Sequence, residues 1–111
     1  MPLLKIQTAK NVPADVLADL SSITAETIGK PETYVMVNAS RSDMMMSGSL
    51  DDAAFVEVKS IGGLGHDVNA ALSEKICGVL SEKLGIAANR VYLNFAEVPA
   101  SDWGWNGSLF G

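Results

Sequence analysis

The sequence predicts an α+β fold in which two βαβ units form a four-stranded mixed sheet with two helices on one face. Hydrophobic residues recur at strand spacing, then at helix spacing, then at strand spacing again, and this order occurs twice. An internal repeat supports the same architecture, because a shift of 56 residues pairs Leu20 with Ile76 and Gly29 with Gly85. The two units are therefore expected to be structural copies of each other.

The chain of 111 residues has the length of a single domain, residues 1–111. The two repeats cover residues 2–39 and 54–96, and a C-terminal tail follows at residues 97–111. Right-handed crossovers put both helices on one face of the sheet. The opposite face would then expose apolar side chains, and exposed apolar surface of this kind usually marks an interface. We therefore expect an oligomer.

The first repeat begins with residues 2–7, whose weak alternation predicts a strand. Apolar residues then follow at helical spacing, namely Val16, Leu17, Leu20, Ile23 and Ile28. Pro13 suits the first helical position, and Gly29 suits the position that ends a helix. Residues 34–39 predict the second strand.

The second repeat follows a polar, turn-rich segment at residues 40–52. Residues 53–59 predict a strand, and a glycine-rich link follows at residues 61–65. The second helix ends at Gly85, and its predicted buried side consists of Val68, Leu72, Ile76, Val79, Leu80 and Leu84. Residues 90–95 predict the last strand of the repeat.

Composition excludes several classes of protein. The net charge of −5 disfavours nucleic acid and anionic membrane as partners. No apolar run approaches the roughly 20 residues of a membrane span, and no secretory signal is visible. The single cysteine, Cys77, excludes an internal disulfide, and one His with one Cys leaves no His/Cys metal site. We expect a cytoplasmic protein, and any release from the cell would have to occur without a signal peptide.

The N-terminus carries a candidate general base. Aminopeptidases remove an initiator methionine that precedes a small residue, so Pro2 would then bear a free secondary amine. The pKa of an α-amino group is roughly 7.7–8.0, and burial or a nearby cation lowers it. Such an amine is neutral at physiological pH and can accept a proton. The alternative is that Pro2 only begins a strand, where its missing N–H costs no hydrogen bond.

Several segments, taken together, resemble the macrophage migration inhibitory factor family of the tautomerase superfamily. No single motif is specific, but their order and spacing hold over essentially the whole chain. The segments are Met1-Pro2, Gly29-Lys30-Pro31, Ser60-Ile61-Gly62, Arg90-Val91-Tyr92-Leu93-Asn94 and Gly104-Trp105-Asn106-Gly107-Ser108-Leu109-Phe110.

The resemblance implies a homotrimer whose sheets surround a central channel, with active sites between neighbouring subunits. It implies a keto–enol tautomerase that uses no cofactor. The substrates would be arylpyruvates such as phenylpyruvate, which are aryl α-keto acids, and dopachrome-type compounds in vitro. By the same resemblance, the amine of Pro2 is the catalytic base.

The resemblance also implies which residues bind the substrate. Lys30 and the backbone N–H of Ile61 would hold the substrate carboxylate, and Asn94 of an adjacent subunit would bind its far end. The aromatic wall of the pocket would consist of Tyr92, Trp105 and Phe110. Lys30 is also a cation at the end of a helix, worth about 0.3–1 kcal/mol, and the two roles are compatible. Asn94 could equally be a polar strand residue that faces solvent.

The tail at residues 101–111 is turn-rich and aromatic. A single glycine separates Trp103 from Trp105, and an extended chain would point the two side chains in different directions. We therefore expect Trp105 at the site and Trp103 against a neighbouring subunit. The alternative is that the whole tail is an interface strap.

The sequence departs from the family pattern at several positions. Ala53 and Val56 occupy the positions of the Cys-x-x-Cys pair of animal members, so we expect no thiol-redox activity. Trp103 replaces a small aliphatic residue, and Ala96 replaces a residue that is often aromatic, which leaves the pocket shape open. The residues that recruit receptors in animals are not recognisable. Two other functions are therefore open: a binding or cytokine-like signalling protein with vestigial catalysis, and a D-dopachrome-type decarboxylating tautomerase.

Overall fold

The computed structural model describes residues 1–111. Its helices and strands, in chain order, are β1 (Leu3–Thr8), α1 (Ala14–Ile28), β2 (Met36–Arg41), β3 (Ala54–Ser60), α2 (His66–Leu84), β4 (Val91–Glu97), β5 (Gly104–Trp105) and β6 (Ser108–Leu109). Short 3₁₀ turns occur at Glu32–Tyr34, Ala88–Arg90 and Ala100–Asp102.

The first four strands form one mixed sheet in the order β2-β1-β3-β4. β1 and β2 are parallel, β3 and β4 are parallel, and the two units meet through the antiparallel pair β1 and β3. The register places Lys5 beside both Asn38 and Glu57, and Glu57 beside Asn94. This topology confirms the predicted pair of βαβ units.

One face of the sheet forms the core together with the helices. Alternate residues of β1, such as Leu4 and Ile6, are buried, and β3 alternates in the same way. Leu72, Ile76 and Leu80 of α2 are buried in the same hydrophobic cluster. Every second side chain of the strands therefore packs against the buried side of the helices, on one face of the sheet.

Both main helices end in the same way. Gly29 has φ +80 and its N–H donates to the carbonyl of Ala25 at 2.9 Å, while Gly85 has φ +68 and its N–H donates to the carbonyl of Ser81 at 3.2 Å. Glycine adopts this left-handed conformation without a Cβ clash, so the two glycines end the helices as predicted. Pro13 lies one position earlier than predicted, because it precedes the first helical residue.

Two local predictions differ from the structure. β2 begins at Met36 rather than at residue 34, because the N–H of Tyr34 donates to the carbonyl of Pro31 at 3.1 Å and closes a 3₁₀ turn first. The tail contains the β5–β6 hairpin, which we did not predict. Its turn residues Asn106 and Gly107 have φ +52 and +79, the conformation that an Asn-Gly hairpin turn requires.

The second face of the sheet has no helix over it. Met36 of β2 and Tyr92 of β4 are 62% and 67% exposed, although both are large and apolar in most of their surface. This face fits the predicted interface, and it carries Lys5, Glu57 and Asn94 as well. Neither helix is long and apolar enough to span a membrane.

Candidate functional site

Pro2 is buried and lies directly before β1, at one end of the sheet. Its carbonyl accepts a hydrogen bond from the N–H of Met36 at 3.0 Å, which fixes the start of β1 against β2. A cavity of about 580 Å³ opens at this point, and its wall includes Pro2, Tyr34, Met36, Trp103, Trp105 and Phe110. The predicted base and two of the predicted aromatic residues therefore share one apolar cavity.

The N-terminal ammonium belongs to Met1 in this structure, so the nitrogen of Pro2 is an amide. The ammonium of Met1 donates to the carbonyl of Tyr34 at 2.6 Å. Burial, and to a smaller extent the charge of Lys30, lower the pKa of this N-terminal amine. The surroundings of Met1 therefore favour the neutral form of its amine.

Lys30 and Ile61 meet at the same end of the sheet. Lys30 follows the glycine that ends α1, and its Nζ donates to the carbonyl of Ile61 at 2.8 Å. The backbone N–H of Ile61 donates no hydrogen bond within the chain. The Lys30 ammonium thus contacts a residue whose backbone N–H is free, and a carboxylate can accept hydrogen bonds from both kinds of donor. Neither residue lines the cavity around Pro2 itself.

The tail folds back on itself beside Pro2. The rings of Trp105 and Phe110 are stacked, with centroids 6.1 Å apart and planes 15° apart. The N–H of Phe110 donates to the carbonyl of Trp103 at 3.1 Å. Both tryptophans line the cavity within a single chain. The expectation that Trp103 packs against a neighbouring subunit stays a prediction.

Tyr92 and Asn94 lie elsewhere in the chain. Both are exposed on the uncovered face of β4, two strands away from β1. The register and standard strand dimensions put them roughly 19 Å and 14 Å from Pro2. A single copy of the chain therefore does not bring these two predicted residues to the cavity, and only a second copy could supply them.

Sequence reasoning missed Ser60, whose hydroxyl donates to the carbonyl of Gly62 at 2.7 Å beside the Lys30 contact. A signal was present, because the other core-facing positions of its strand are the apolar residues Ala54, Val56 and Val58. A lone hydroxyl in such a series needs an internal partner. Tyr34 and Met36 in the cavity wall were also missed, since they lie in the turn and strand that were misplaced by two residues.

The remaining reactive groups lie apart from this site. Cys77 is half-buried against the core, and burial raises the pKa of its thiol. His66 is exposed at the start of α2, where its Nδ1 lies 3.4 Å from a carboxylate oxygen of Asp67. No group of three or more His, Cys, Asp or Glu side chains comes together as metal ligands would.

Comparisons with known proteins place this architecture in a family. The family model "Macrophage migration inhibitory factor (MIF)" matches residues 1–111. The chain is 35% identical over 114 residues to the macrophage migration inhibitory factor of Meriones unguiculatus, with 99% of each chain covered. It is 37% identical over 114 residues to the homolog from Trichuris trichiura, covering 99% of this chain and 100% of that one.

Solved structures agree with this result. The homologue from Prochlorococcus marinus has a TM-score of 0.92 and 45% identity, and the match covers 98% of this chain and 99% of that one. The factor from Trichinella spiralis has a TM-score of 0.91 and 34% identity over 97% of this chain and 99% of that one. The two repeated βαβ units thus form a tautomerase-superfamily fold. Within that superfamily, the chain belongs to the macrophage migration inhibitory factor family.

Proposed function

We propose that the protein is a cofactor-independent keto–enol tautomerase of arylpyruvates, with the amine of Pro2 as general base once Met1 is removed. The observation that carries the proposal is the burial of Pro2 in the wall of an apolar cavity that also contains Trp105 and Phe110. One residue earlier, burial and the charge of Lys30 lower the pKa of the Met1 amine. A base with a pKa near the working pH is the most effective general base. Membership of the family supports the same class of reaction.

The reaction moves one proton from carbon to oxygen. The Pro2 nitrogen takes a proton from the carbon next to the ketone, and the C–H electrons form the carbon–carbon double bond. The ketone oxygen takes a proton from water and becomes the enol hydroxyl, and the Pro2 ammonium releases its proton to water. Ketonisation is the reverse, in which the Pro2 ammonium returns its proton to carbon. Pro2 is buried in the wall of the cavity beside Trp103 and Phe110, and this burial favours the neutral form of its amine.

Lys30 has two roles in this proposal. Its ammonium and the N–H of Ile61 bind the substrate carboxylate, and the hydrogen bond to the Ile61 carbonyl keeps the cation in place before substrate arrives. Its charge also disfavours protonation of the nearby amine. A carboxylate bound by these groups would present the α-keto acid to the cavity beside Pro2.

The complete site requires more than one copy of the chain. Asn94 and Tyr92 lie too far from Pro2 to act with it in one subunit, and they lie on the uncovered face of the sheet. We therefore propose a homotrimer in which a neighbouring copy supplies both residues. The single unpaired Cys77 favours the cytoplasm as the compartment.

The test is phenylpyruvate ketonisation followed by absorbance, with protein whose mass confirms the removal of Met1. The matched comparison is the same chain with Met1 retained, in which the Pro2 nitrogen is an amide and cannot accept a proton. General-base catalysis contributes about 100-fold or more, so this chain should lose activity on that scale. Equal rates for the two proteins would refute Pro2 as the base.

A binding or signalling protein is the second candidate, and membership of the macrophage migration inhibitory factor family is the observation that favours it. While Met1 remains, its ammonium lies against Tyr34 and the Pro2 nitrogen cannot accept a proton. A natural chain that retains Met1, forms the oligomer and shows no turnover would establish this alternative. Release of carbon dioxide from a D-dopachrome-type substrate would instead indicate the decarboxylating reaction.

A further inference from the structure

We infer that the hydroxyl of Ser60 is a positioning group that holds the carboxylate-binding loop, residues 60–63, in its receptive conformation. The inference rests on the proposed function, because it concerns the loop that carries the Ile61 N–H. It adds a residue that would not touch the substrate. Ser60 would act through the backbone of Ile61 and Gly62.

Ser60 is anchored through both its side chain and its main chain. It is the last residue of β3 and is 0% exposed. Its Oγ donates to the carbonyl of Gly62 at 2.7 Å, and its own carbonyl accepts from the N–H of Val98 at 2.9 Å. A buried hydroxyl costs stability unless it is hydrogen-bonded, so the bond to Gly62 is a specific feature of this position.

The carbonyl groups of residues 60–62 accept hydrogen bonds within the chain, whereas the N–H groups that follow Ser60 are free. Lys30 Nζ occupies the carbonyl of Ile61, and the Ser60 hydroxyl occupies the carbonyl of Gly62. The N–H groups of residues 61–64 donate no hydrogen bond within the chain. Consecutive free N–H groups in a glycine turn favour an anion. The hydrogen bond from Ser60 thus keeps the Gly62 carbonyl away from Lys30, where it would compete with the N–H groups for space.

Gly63 ties the loop to the end of α1. It has φ +79, and a Cβ at this position would lie 2.7 Å from Ile28 Cγ2 and 3.5 Å from Lys30 Cε. Ile28 belongs to the buried core, so the loop rests directly on the core and on the stem of Lys30. Gly63 thus fixes one end of the loop and the Ser60 hydrogen bond fixes the other. Without that bond, the free N–H groups would change position relative to the lysine ammonium.

The test is a titration with 3-phenylpropanoate, an aryl carboxylate that cannot tautomerise, followed at the Ile61 amide by ¹H–¹⁵N NMR. Ser60→Ala should bind it about tenfold more weakly than the parent does. Binding must then restore the receptive loop without this hydrogen bond, which costs about the free energy of one bond of ordinary strength. The neutral 3-phenylpropanamide should bind both proteins equally, because it carries no charge for the loop. Ser60→Cys, which keeps the size but donates weakly, should behave like Ser60→Ala and guards against a folding defect.

Kinetics supply the second readout. Ser60→Ala should raise KM for phenylpyruvate about tenfold and leave kcat within about twofold. Carboxylate binding unchanged in both variants, or an equal loss for carboxylate and amide, would overturn the inference. A parent that fails to bind the carboxylate at Ile61 would also overturn it. A parent that binds it in this way but converts no phenylpyruvate would refute the proposed function and leave the inference standing.

Discussion

The Nζ of Lys30 donates a hydrogen bond to the carbonyl of Ile61 at 2.8 Å, although the two residues are 31 positions apart in the chain. This contact joins the end of α1 to the loop after β3, and thus joins the two repeats at the end of the sheet where Pro2 lies. A cation fixed in this way loses little side-chain freedom when a carboxylate binds.

Removal of the Lys30 charge should therefore weaken substrate binding selectively. Lys30→Gln should raise KM for phenylpyruvate by about tenfold or more, since hydrogen bonds to charged groups contribute roughly 1.5–3 kcal/mol. The methyl ester of phenylpyruvate, which has no carboxylate, is the matched control and should be far less affected. Steady-state kinetics on both substrates measure the difference. Equal effects on acid and ester would mean that Lys30 does not hold the carboxylate.

The ammonium of Met1 should make the stability of the unprocessed chain depend on pH. Folding lowers the pKa of this amine, through burial first and Lys30 second. Between the lowered pKa and the ordinary range of roughly 7.7–8.0, the unfolded chain binds more protons. The free energy of unfolding should therefore rise with pH across this window.

Urea denaturation of the Met1-retaining chain at a series of pH values measures this effect. A chain acetylated at the N-terminus has no titrating amine and is the control. The unfolding free energy of the free-amine chain minus that of the acetylated chain should rise with pH through the window. Parallel pH dependences would show that the amine titrates alike in the folded and unfolded chain.

Gly63→Ala should destabilise the protein by about 1–3 kcal/mol, because a positive φ is strained in a residue that has a Cβ. The contact of 2.7 Å with Ile28 Cγ2 adds to this cost. Gly78→Ala is the matched control, since Gly78 lies within α2 and an added Cβ there meets nothing within 4 Å. That control should stabilise by about 0.5–1 kcal/mol. Thermal or urea unfolding measures the change in stability of each variant. Equal changes for the two variants would contradict the close packing of Gly63 against Ile28.

The shared site predicts complementation between two inactive variants. A chain that retains Met1 lacks the free amine of Pro2, and Asn94→Ala lacks the residue expected from a neighbouring copy. If subunits mix at random in a closed trimer, about a quarter of the sites in an equal mixture combine an intact Pro2 with an intact Asn94. Refolding the two chains together should thus restore activity that neither shows alone. No gain over the separately refolded chains would place Asn94 outside the site.

Local features of the fold could be predicted from the sequence because their causes are local. The ends of both helices followed from Gly29 and Gly85, which need a left-handed conformation at those positions. The two βαβ units followed from hydrophobic period and from the repeat. The start of β2 did not, since a 3₁₀ turn after Pro31 competes with a strand over the same residues.

The candidate site could be predicted only where the family resemblance supplied residues. The bond from Ser60 to Gly62 depends on a loop conformation that periodicity does not specify. The place of Trp103 in the cavity depends on how the tail folds beside Pro2. The role of Asn94 depends on a second copy, so neither the sequence pattern nor a single chain can establish it.

The central claim is that the amine of Pro2 is neutral at physiological pH and accepts the proton. The most direct measurement is an ¹⁵N NMR titration of the Pro2 nitrogen in protein whose mass confirms the loss of Met1. The account predicts a pKa well below that of an ordinary proline amine, with kcat/KM for phenylpyruvate rising with pH through the same value. An ordinary pKa, or a rate that does not follow this titration, would contradict the account.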